Sequence, residues 1–482
     1  MGRIFYRPEG AWVGDVIPFF AEGKYQLFYL HDERRNGIAG ETPWHLISTT
    51  DMVHFCEEGE AVSRGTRTNQ DYYAYTGDVI EKDGVYHLFY TGMNPFPAFI
   101  EEGKPLQSVM HATSKDLKHW TKHPEHTFYA SGGMYERHDW RDPYVFWNEE
   151  AGEYWMLLAA RTKTGPDRRR GCIALCASTD LIEWEVREPF WAPGLYITHE
   201  CPEVFRMGSW WYLVYSTFSE KFVTHYRMSQ SPNGPWIAPN NDTFDGRGFY
   251  AAKTASDGTN RYAFGWIPSK TNSNDNGDWQ WAGDLAVHEI VQQEDGTLKV
   301  KLPNGIDKLL NQIQPSHLYP VAGDWTQAGG ELACKSFESH SFALSESPMP
   351  DACKVTFKVS FDAATRGCGL MIRADEEDNG YYIRFEPQNN RLVFDRWPRQ
   401  PQGEFQWQVA GDKPYEVELE RPLSLEPGRD YEVKAVIEDS ICVVYIDSLL
   451  AMSARIYNRK HGKWGFFVTE GSASFKEGRL FI

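Results

Sequence analysis

No apolar run in the 482-residue sequence approaches the roughly 18 residues that a helix needs to cross a bilayer, so no membrane-spanning helix is expected. Low-complexity tracts are missing as well. With 41% hydrophobic and 24% charged residues, the disordered and fibrous classes are excluded in favour of a globular chain. Positive charge is scarce: 49 Lys and Arg stand against 67 Asp and Glu, a net charge of −18, and the one basic cluster is Arg168-Arg169-Arg170. A surface of that sign repels a phosphate backbone, so neither nucleic acid nor a membrane is expected as a partner. The opening residues, Met1-Gly-Arg-Ile-Phe-Tyr-Arg-Pro8, lack the apolar core of a signal peptide, and Tyr6 stands where a myristoylation motif wants Ser or Thr. A cytoplasmic location is the expectation. The eight cysteines show no paired zinc-type spacing and read as free thiols; Cys172 and Cys176 lie in a run that reads as a buried strand.

What is present is repetition. Gly14-Asp15-Val16-Ile17 followed by Tyr25-Gln-Leu-Phe-Tyr29 returns 63 residues later as Gly77-Asp78-Val79-Ile80 followed by Tyr86-His-Leu-Phe-Tyr90. A third copy opens at Arg141-Asp142-Pro143, a fourth at Glu200-Cys201-Pro202, and a weaker fifth at Tyr250-Ala-Ala-Lys253. A second marker trails the first three copies: Ser48-Thr-Thr-Asp51, Thr113-Ser-Lys-Asp116 and Ser178-Thr179-Asp180, read as outer strands and their turns. Units of this length with about four strands each cannot bury both faces alone, which points to an all-β, five-bladed β-propeller over 1–305. Asp307 to Gln314 reads as a short helical connector within a linker over 306–325. From about 335 strict alternation returns without the markers, as in Cys353–Phe361 and Tyr431–Ile437, and 326–482 is expected to be a β-sandwich.

The innermost strand of each blade lines a propeller's channel, so residues at the start of each repeat converge on one pocket. The matching positions carry Asp15, Asp78, Asp142 and, one residue early, Glu200. Hydrolysis of a glycosidic bond needs two carboxylates, one protonated to assist the leaving oxygen and one ionised to attack or to activate water. Each Asp could instead cap a strand or bond its own turn, a reading that stays open for Asp78 above all.

At these residues the sequence resembles glycoside hydrolase family 32, the invertases, fructanases and relatives. That family carries Trp-x-Asn-Asp-Pro in its first blade, Arg-Asp-Pro in its third and Glu-Cys-Pro in its fourth. Here stand Trp12-Val-Gly-Asp15, Arg141-Asp-Pro143 and Glu200-Cys-Pro202. Pro43-Trp44-His-Leu46, Trp281-Ala-Gly-Asp-Leu285, Leu392–Arg396 and Ser453–Tyr457 also look like its landmarks, so the resemblance spans nearly the whole chain. It implies a propeller followed by a sandwich, Asp15 as nucleophile, Glu200 as general acid/base, and Asp142 with Arg141 holding sugar hydroxyls. Trp12, Trp44, Asp78, His199 and Trp281 are the further substrate-binding candidates. Several positions depart from the pattern. Gly14 and Val16-Ile17-Pro18 replace side-chain amides, Asp78 stands where Ser is usual, His199 replaces a Trp, and His288 replaces an Arg.

The expected activity is retaining hydrolysis of β-fructofuranosidic bonds in a fructoside or short fructan. The altered first blade keeps open an arabinofuranoside hydrolase or a fructosyl or difructoside transferase. A non-catalytic sugar-binding propeller is the third reading, and it is opposed by the electrostatic cost of clustering three carboxylates. The implied partner is a small carbohydrate, and acid/base hydrolysis of this kind calls for no metal or organic cofactor. Nothing in the sequence speaks to oligomeric state. In the sandwich, Trp397 and Trp407 could form a sugar-binding face or pack on the propeller.

Overall fold

A computed structural model describes residues 3–34, 42–130, 133–399 and 417–482. The chain forms a five-bladed β-propeller and a β-sandwich. Blade 1 holds β1 (Trp12–Ala21), β2 (Lys24–Asp32), β3 (Trp44–Thr49) and β4 (Cys56–Val62). Blade 2 holds β5 (Tyr73–Lys82), β6 (Val85–Met93), β7 (Gln107–Ser114) and β8 (Thr121–Lys122). Blade 3 holds β9 (Tyr135–Asn148), β10 (Glu153–Thr162), β11 (Gly171–Ser178) and β12 (Glu185–Trp191). Blade 4 has three strands, β13 (Glu200–Met207), β14 (Trp210–Thr217) and β15 (Val223–Ser229). Only isolated bridges, His225 to Thr243 and Met228 to Ile237, stand in its fourth position. Blade 5 holds β16 (Tyr250–Ser256), β17 (Arg261–Lys270), β18 (Trp279–Gln292) and β19 (Leu298–Lys301). The ring closes where Val13 of β1 pairs with Gly283 of β18 and the Leu285 N–H donates to the Tyr6 carbonyl at 2.8 Å.

Middle strands are covered on both faces by neighbouring blades, so they read as continuous apolar runs. In β10, Met156 through Ala160 are all fully buried. Cys172 and Cys176 sit on β11 as expected, both buried.

The recurring Ser/Thr-x-Asp marker proves to be one repeated turn between a blade's third and fourth strands. Asp51 Oδ1 accepts the Val53 and His54 N–H groups, Asp116 Oδ1 those of Lys118 and His119, and Asp180 Oδ1 those of Ile182 and Glu183. In each turn the residue after the Asp, Met52, Leu117 or Leu181, is left-handed, with φ of 65°, 63° and 69°. The carboxylate pays for that backbone by satisfying two N–H groups that the turn strips of partners.

The strand pairings of the second unit are antiparallel, and its strands form one continuous, barrel-like sheet. The 19-residue strand Lys463–Phe481 pairs with Ile313–Gln314, Glu331–Ser345, Ala352–Phe361 and Gly367–Ala374. Its core is aromatic and aliphatic, with Phe466 stacked on Phe475 and Phe357 packed at a tilt against Phe466.

The main division falls within a few residues of the expected end of the propeller at 305, and one excursion crosses it. The compact units are 1–269 with 280–299, and 270–279 with 300–482. The helix of the connector is confined to Asn304–Leu309, and the 306–325 stretch is not a free linker. Ile313–Gln314 pairs with Phe481 and Leu480, and Leu318–Ala322 pairs with Glu331–Ser345. The excursion 270–279 belongs to the second unit because Asp275 accepts the Tyr381 hydroxyl at 2.6 Å and the Tyr457 N–H at 2.7 Å. Trp397 is 40% exposed with the Arg399 guanidinium 4.9 Å from its ring centre, and Trp407 lies outside the described residues.

Candidate active site

Every inner strand breaks register at the same point, at Gly14-Asp15, Thr76, Asp142-Pro143, Cys201-Pro202 and Ala251-Ala252. A bulge adds a residue to one strand, turns a side chain off the sheet and leaves backbone N–H groups unpaired. Here the freed groups stitch blade to blade. The Asp142 N–H donates to Thr91 Oγ1 at 2.8 Å, the Cys201 N–H to Asp142 Oδ2 at 3.0 Å, and the Ala252 N–H to Thr224 Oγ1 at 3.1 Å. Asp142, Cys201 and Ala251 take φ of 57°, 49° and 51°, a left-handed conformation that L-residues hold only when their surroundings impose it.

The bulges converge on a cavity of about 390 Å³ lined by Asp15, Asp142, Glu200, Arg141, Gln107, Thr76 and the aromatic rings of Tyr75, Phe218, Phe222, Tyr250 and Trp281. Asp15 is gripped at both oxygens: Trp266 Nε1 donates to Oδ1 at 2.9 Å and the Thr76 hydroxyl donates to Oδ2. Burial pushes its pKa up to about 6, and the Glu200 charge adds to the rise, while those two hydrogen bonds and Lys253 hold it down. The Asp142 carboxyl is likewise driven upward, first by burial and then by Glu200 and Asp15, against the pull of Arg141. Glu200 Oε2 accepts the Tyr250 hydroxyl at 2.7 Å, and Oε1 accepts Arg141 Nη2 at 3.3 Å. Arg141 also donates to Thr198 Oγ1 at 2.8 Å, pairs with Asp139 and stands 3.8 Å from Asp142, so one guanidinium serves three carboxylates.

Of the residues expected at the site, Asp15, Asp142, Glu200, Arg141 and Trp281 line the cavity and four others do not. Trp44 is fully buried between Phe28 and Tyr90, with its indole N–H donated to the Tyr75 carbonyl at 3.2 Å. Trp12 lies under two guanidinium groups, with Arg7 at 4.8 Å and Arg34 at 5.2 Å from its ring centre. His199 is fully buried among Trp191, Tyr196 and Tyr215, and burial lowers its pKa to about 3, leaving it neutral. Asp78 falls past the bulge, so it is not the counterpart of Asp15 or Asp142. It pairs with Phe89, and its equivalents in blades 4 and 5 are Glu203, paired with Val214, and Lys253, paired with Phe264, the first residues after their own bulges. Asp78 Oδ2 accepts the Val145 N–H at 3.0 Å and Oδ1 stands 3.9 Å from Lys253 Nζ, which donates to the Gly77 carbonyl at 2.8 Å. Asp78 is therefore a blade-to-blade clasp in a buried charged tier. His288, also outside the cavity, is fully buried with Nε2 3.0 Å from Asp245 Oδ2.

Sequence reasoning missed Thr76, Trp266 and Tyr250, which hold the carboxylates. The bulge register, which no repeat alignment displays, is the signal that places them. The missing side chain at Gly14 also has a structural counterpart. A Cβ there would lie 2.5 Å from Trp281 Cη2, so the Trp281 ring fills the room that a side chain on the first blade would take.

A propeller whose bulged inner strands bring three carboxylates and an arginine to one aromatic-walled pocket has the equipment of a glycosidase. The chain belongs to glycosyl hydrolase family 32: its N-terminal domain matches residues 6–301 and its C-terminal domain residues 332–481. Members of this family are glycosidases acting on fructosides. Among curated relatives, raffinose invertase of Escherichia coli is 27% identical over 65% of this chain and 66% of its own length, so the chain spans about two thirds of that relative. Sucrose-6-phosphate hydrolase of Escherichia coli is 24% identical over 99% of this chain and 95% of its own length. Among solved structures, exo-inulinase from Aspergillus awamori superposes with a TM-score of 0.71 at 16% identity, covering 100% of this chain and 97% of that one. Fructan 1-exohydrolase IIa from Cichorium intybus in complex with 1-kestose gives 0.70 at 15% identity, covering 98% and 96%.

Proposed function

We propose that this protein hydrolyses β-fructofuranosidic bonds in a fructoside or short fructan with retention of configuration. The observation that carries this reading is the pair of differently held carboxylates across one pocket. Asp15, its two oxygens fixed by Trp266 and Thr76, is held ionised for attack on the anomeric carbon. Glu200, bonded by the Tyr250 hydroxyl and by Arg141, gives its proton to the departing oxygen and later takes one from the water that releases the sugar. Asp142 uses one oxygen on the Cys201 N–H and offers the other to sugar hydroxyls. The aromatic rim supplies stacking faces for the ring and excludes water, strengthening each charge–charge interaction inside.

Trp281 over Gly14 favours a second reading, transfer to a sugar acceptor, because it lays an aromatic face where the first blade would otherwise present a side chain. Product analysis on sucrose and on inulin and levan oligomers distinguishes the two: free fructose marks hydrolysis, and longer or cyclised oligosaccharides mark transfer. Glu200→Gln tests the acid role. It is expected to lose at least about 10³-fold in kcat on sugar leaving groups while keeping far more on activated aryl fructosides, whose departure needs no proton. Equal losses on both substrate classes contradict the assignment.

A further inference from the structure

The outer edge of blade 2 carries four histidines that the reaction does not use. His87 lies on β6, His111 on β7, and His123 and His126 flank the turn that follows β8. His111 is 2% exposed, and its two ring nitrogens meet His87 Nδ1 at 3.0 Å and His126 Nδ1 at 2.9 Å. His123 Nε2 lies 2.8 Å from Thr113 Oγ1. The opposite nitrogens, His123 Nδ1 and His126 Nε2, converge on Glu125 Oε1 at 3.2 Å and 3.9 Å, and all three atoms lie within 4.8 Å of one another. Three ligands about 2.0–2.1 Å from a shared ion are separated by about 3 Å, and this triangle, with sides of 3.2 Å and 3.9 Å and none above 4.8 Å, reaches those dimensions by a small contraction.

We propose that His123 Nδ1, Glu125 Oε1 and His126 Nε2 form a binding site for a divalent transition-metal ion of the zinc class. Two observations carry it. The first is the donor set: two imidazoles and a carboxylate suit zinc, cobalt, nickel or copper, whereas magnesium and calcium prefer all-oxygen shells. The second is the outer layer. A metal-bound histidine donates its other N–H to a fixed acceptor, which sets its tautomer and aims its lone pair. Thr113 Oγ1 is placed to accept from His123 Nε2, and His111 Nδ1 to accept from His126 Nδ1. His111 then passes its remaining Nε2 proton toward His87 Nδ1. With every proton directed outward, two lone pairs and a carboxylate face one point, an arrangement that a cation there stabilises. Reversing every proton along the same chain turns the His123 Nδ1 N–H onto Glu125 Oε1 at 3.2 Å and leaves the His126 Nε2 N–H 3.9 Å from the same oxygen, an electrostatic contact longer than a hydrogen bond. The network can therefore carry its protons in either direction, with small side-chain shifts drawing the three donors onto an ion. The side chain of Glu125 is 62% exposed and those of His123 and His126 are about one quarter exposed, which leaves an entry path and room for water ligands.

The test is a titration of the intact protein with zinc chloride, followed by calorimetry and by thermal unfolding. One equivalent is expected to bind and to raise the unfolding midpoint, because an ion that binds the folded state alone stabilises it by mass action. Magnesium at the same concentration is expected to do neither. Cobalt in place of zinc should give the visible absorption of a nitrogen- and oxygen-coordinated ion. His123→Ala and His126→Ala should each weaken zinc at least 100-fold, and Thr113→Ala, which touches no ion, about 10-fold or more. His54→Ala, in an exposed turn of blade 1, should bind as the parent does. Unchanged fructoside hydrolysis in each variant verifies that the propeller is folded. Failure of zinc to bind, or zinc binding that survives both histidine substitutions, overturns the site.

Discussion

At the scale of the residue, Asp15 carries opposed demands. Its pocket must be dry enough to sharpen the chemistry, yet dryness pushes its pKa from 3.8 up to about 6. A carboxyl raised in the folded state binds its proton more tightly there than in the unfolded chain. Its ionisation therefore costs stability as pH rises from about 4 to about 6, and the full cost stands above that range. Asp15→Asn is expected to abolish covalent attack, lowering kcat by several orders of magnitude. At pH 7 to 8 it should melt higher than the parent, by up to about 3 kcal/mol of unfolding free energy, and the difference should vanish below about pH 4. Paired melting curves across that range check the sign. Lys253 acts on the same group from the buried tier. It holds the Asp15 carboxyl down, so Lys253→Gln, which removes the charge and keeps a donor for the Gly77 carbonyl, should move the acid limb of the pH–rate profile upward by about half to one pH unit. An unmoved limb would show that Lys253 serves packing alone. Asp15, Asp142, Glu200 and Arg141 were legible because short motifs carry them. Trp44, His199 and Asp78 were not, because an aromatic ring or a carboxylate one or two positions along a strand looks the same in a sequence whether it faces a channel or a core.

At the scale of the element, the bulge is the unit that matters. Gly14-Asp15, Asp142-Pro143 and Cys201-Pro202 fall on it, whereas Gly77-Asp78 follows the break at Thr76, and the strand pairings shift by one residue there in all five blades. Aligning repeats by residue type set Asp78 beside Asp15. Aligning them by register sets Asp78 beside Glu203 and Lys253 and explains why it clasps Val145. The turn marker, by contrast, could be read in the sequence, because an Asx turn is local chemistry and needs no partner from another blade. Gly14 belongs to this scale too. Gly14→Ala puts a methyl group 2.5 Å from the Trp281 ring, which must swing away. Because Trp281 lines the pocket, KM for the fructoside should rise at least several-fold, with some loss of stability because the same methyl lies 2.9 Å from Leu30 Cβ, and Gly14→Ala combined with Trp281→Phe should recover part of the KM change. Unchanged KM in the single variant would separate Trp281 from substrate.

At the scale of the whole molecule, periodicity identified the five blades and alternation identified the second unit. The main division near 300 lay within a few residues of the end expected for the propeller, but the excursion that crosses it was hidden. Residues 270–279 leave blade 5 and are claimed by Tyr381 and Tyr457, more than 100 residues ahead in the chain, and no local pattern announces such a contact. The short strands Ile313–Gln314 and Leu318–Ala322 were hidden for the same reason: their partners lie far along the chain, and a two-residue strand has no period to detect.

The central claim is that Asp15 attacks the sugar directly and Glu200 handles the proton, which fixes the stereochemistry of the product. Turnover of sucrose or a short fructan in the presence of methanol, followed by NMR of the trapped glycoside, reads it without further assumption. Two successive displacements at the anomeric carbon predict the methyl β-fructofuranoside, the configuration of the substrate. The methyl α-fructofuranoside would mean a single displacement by solvent and would contradict the nucleophile assigned to Asp15.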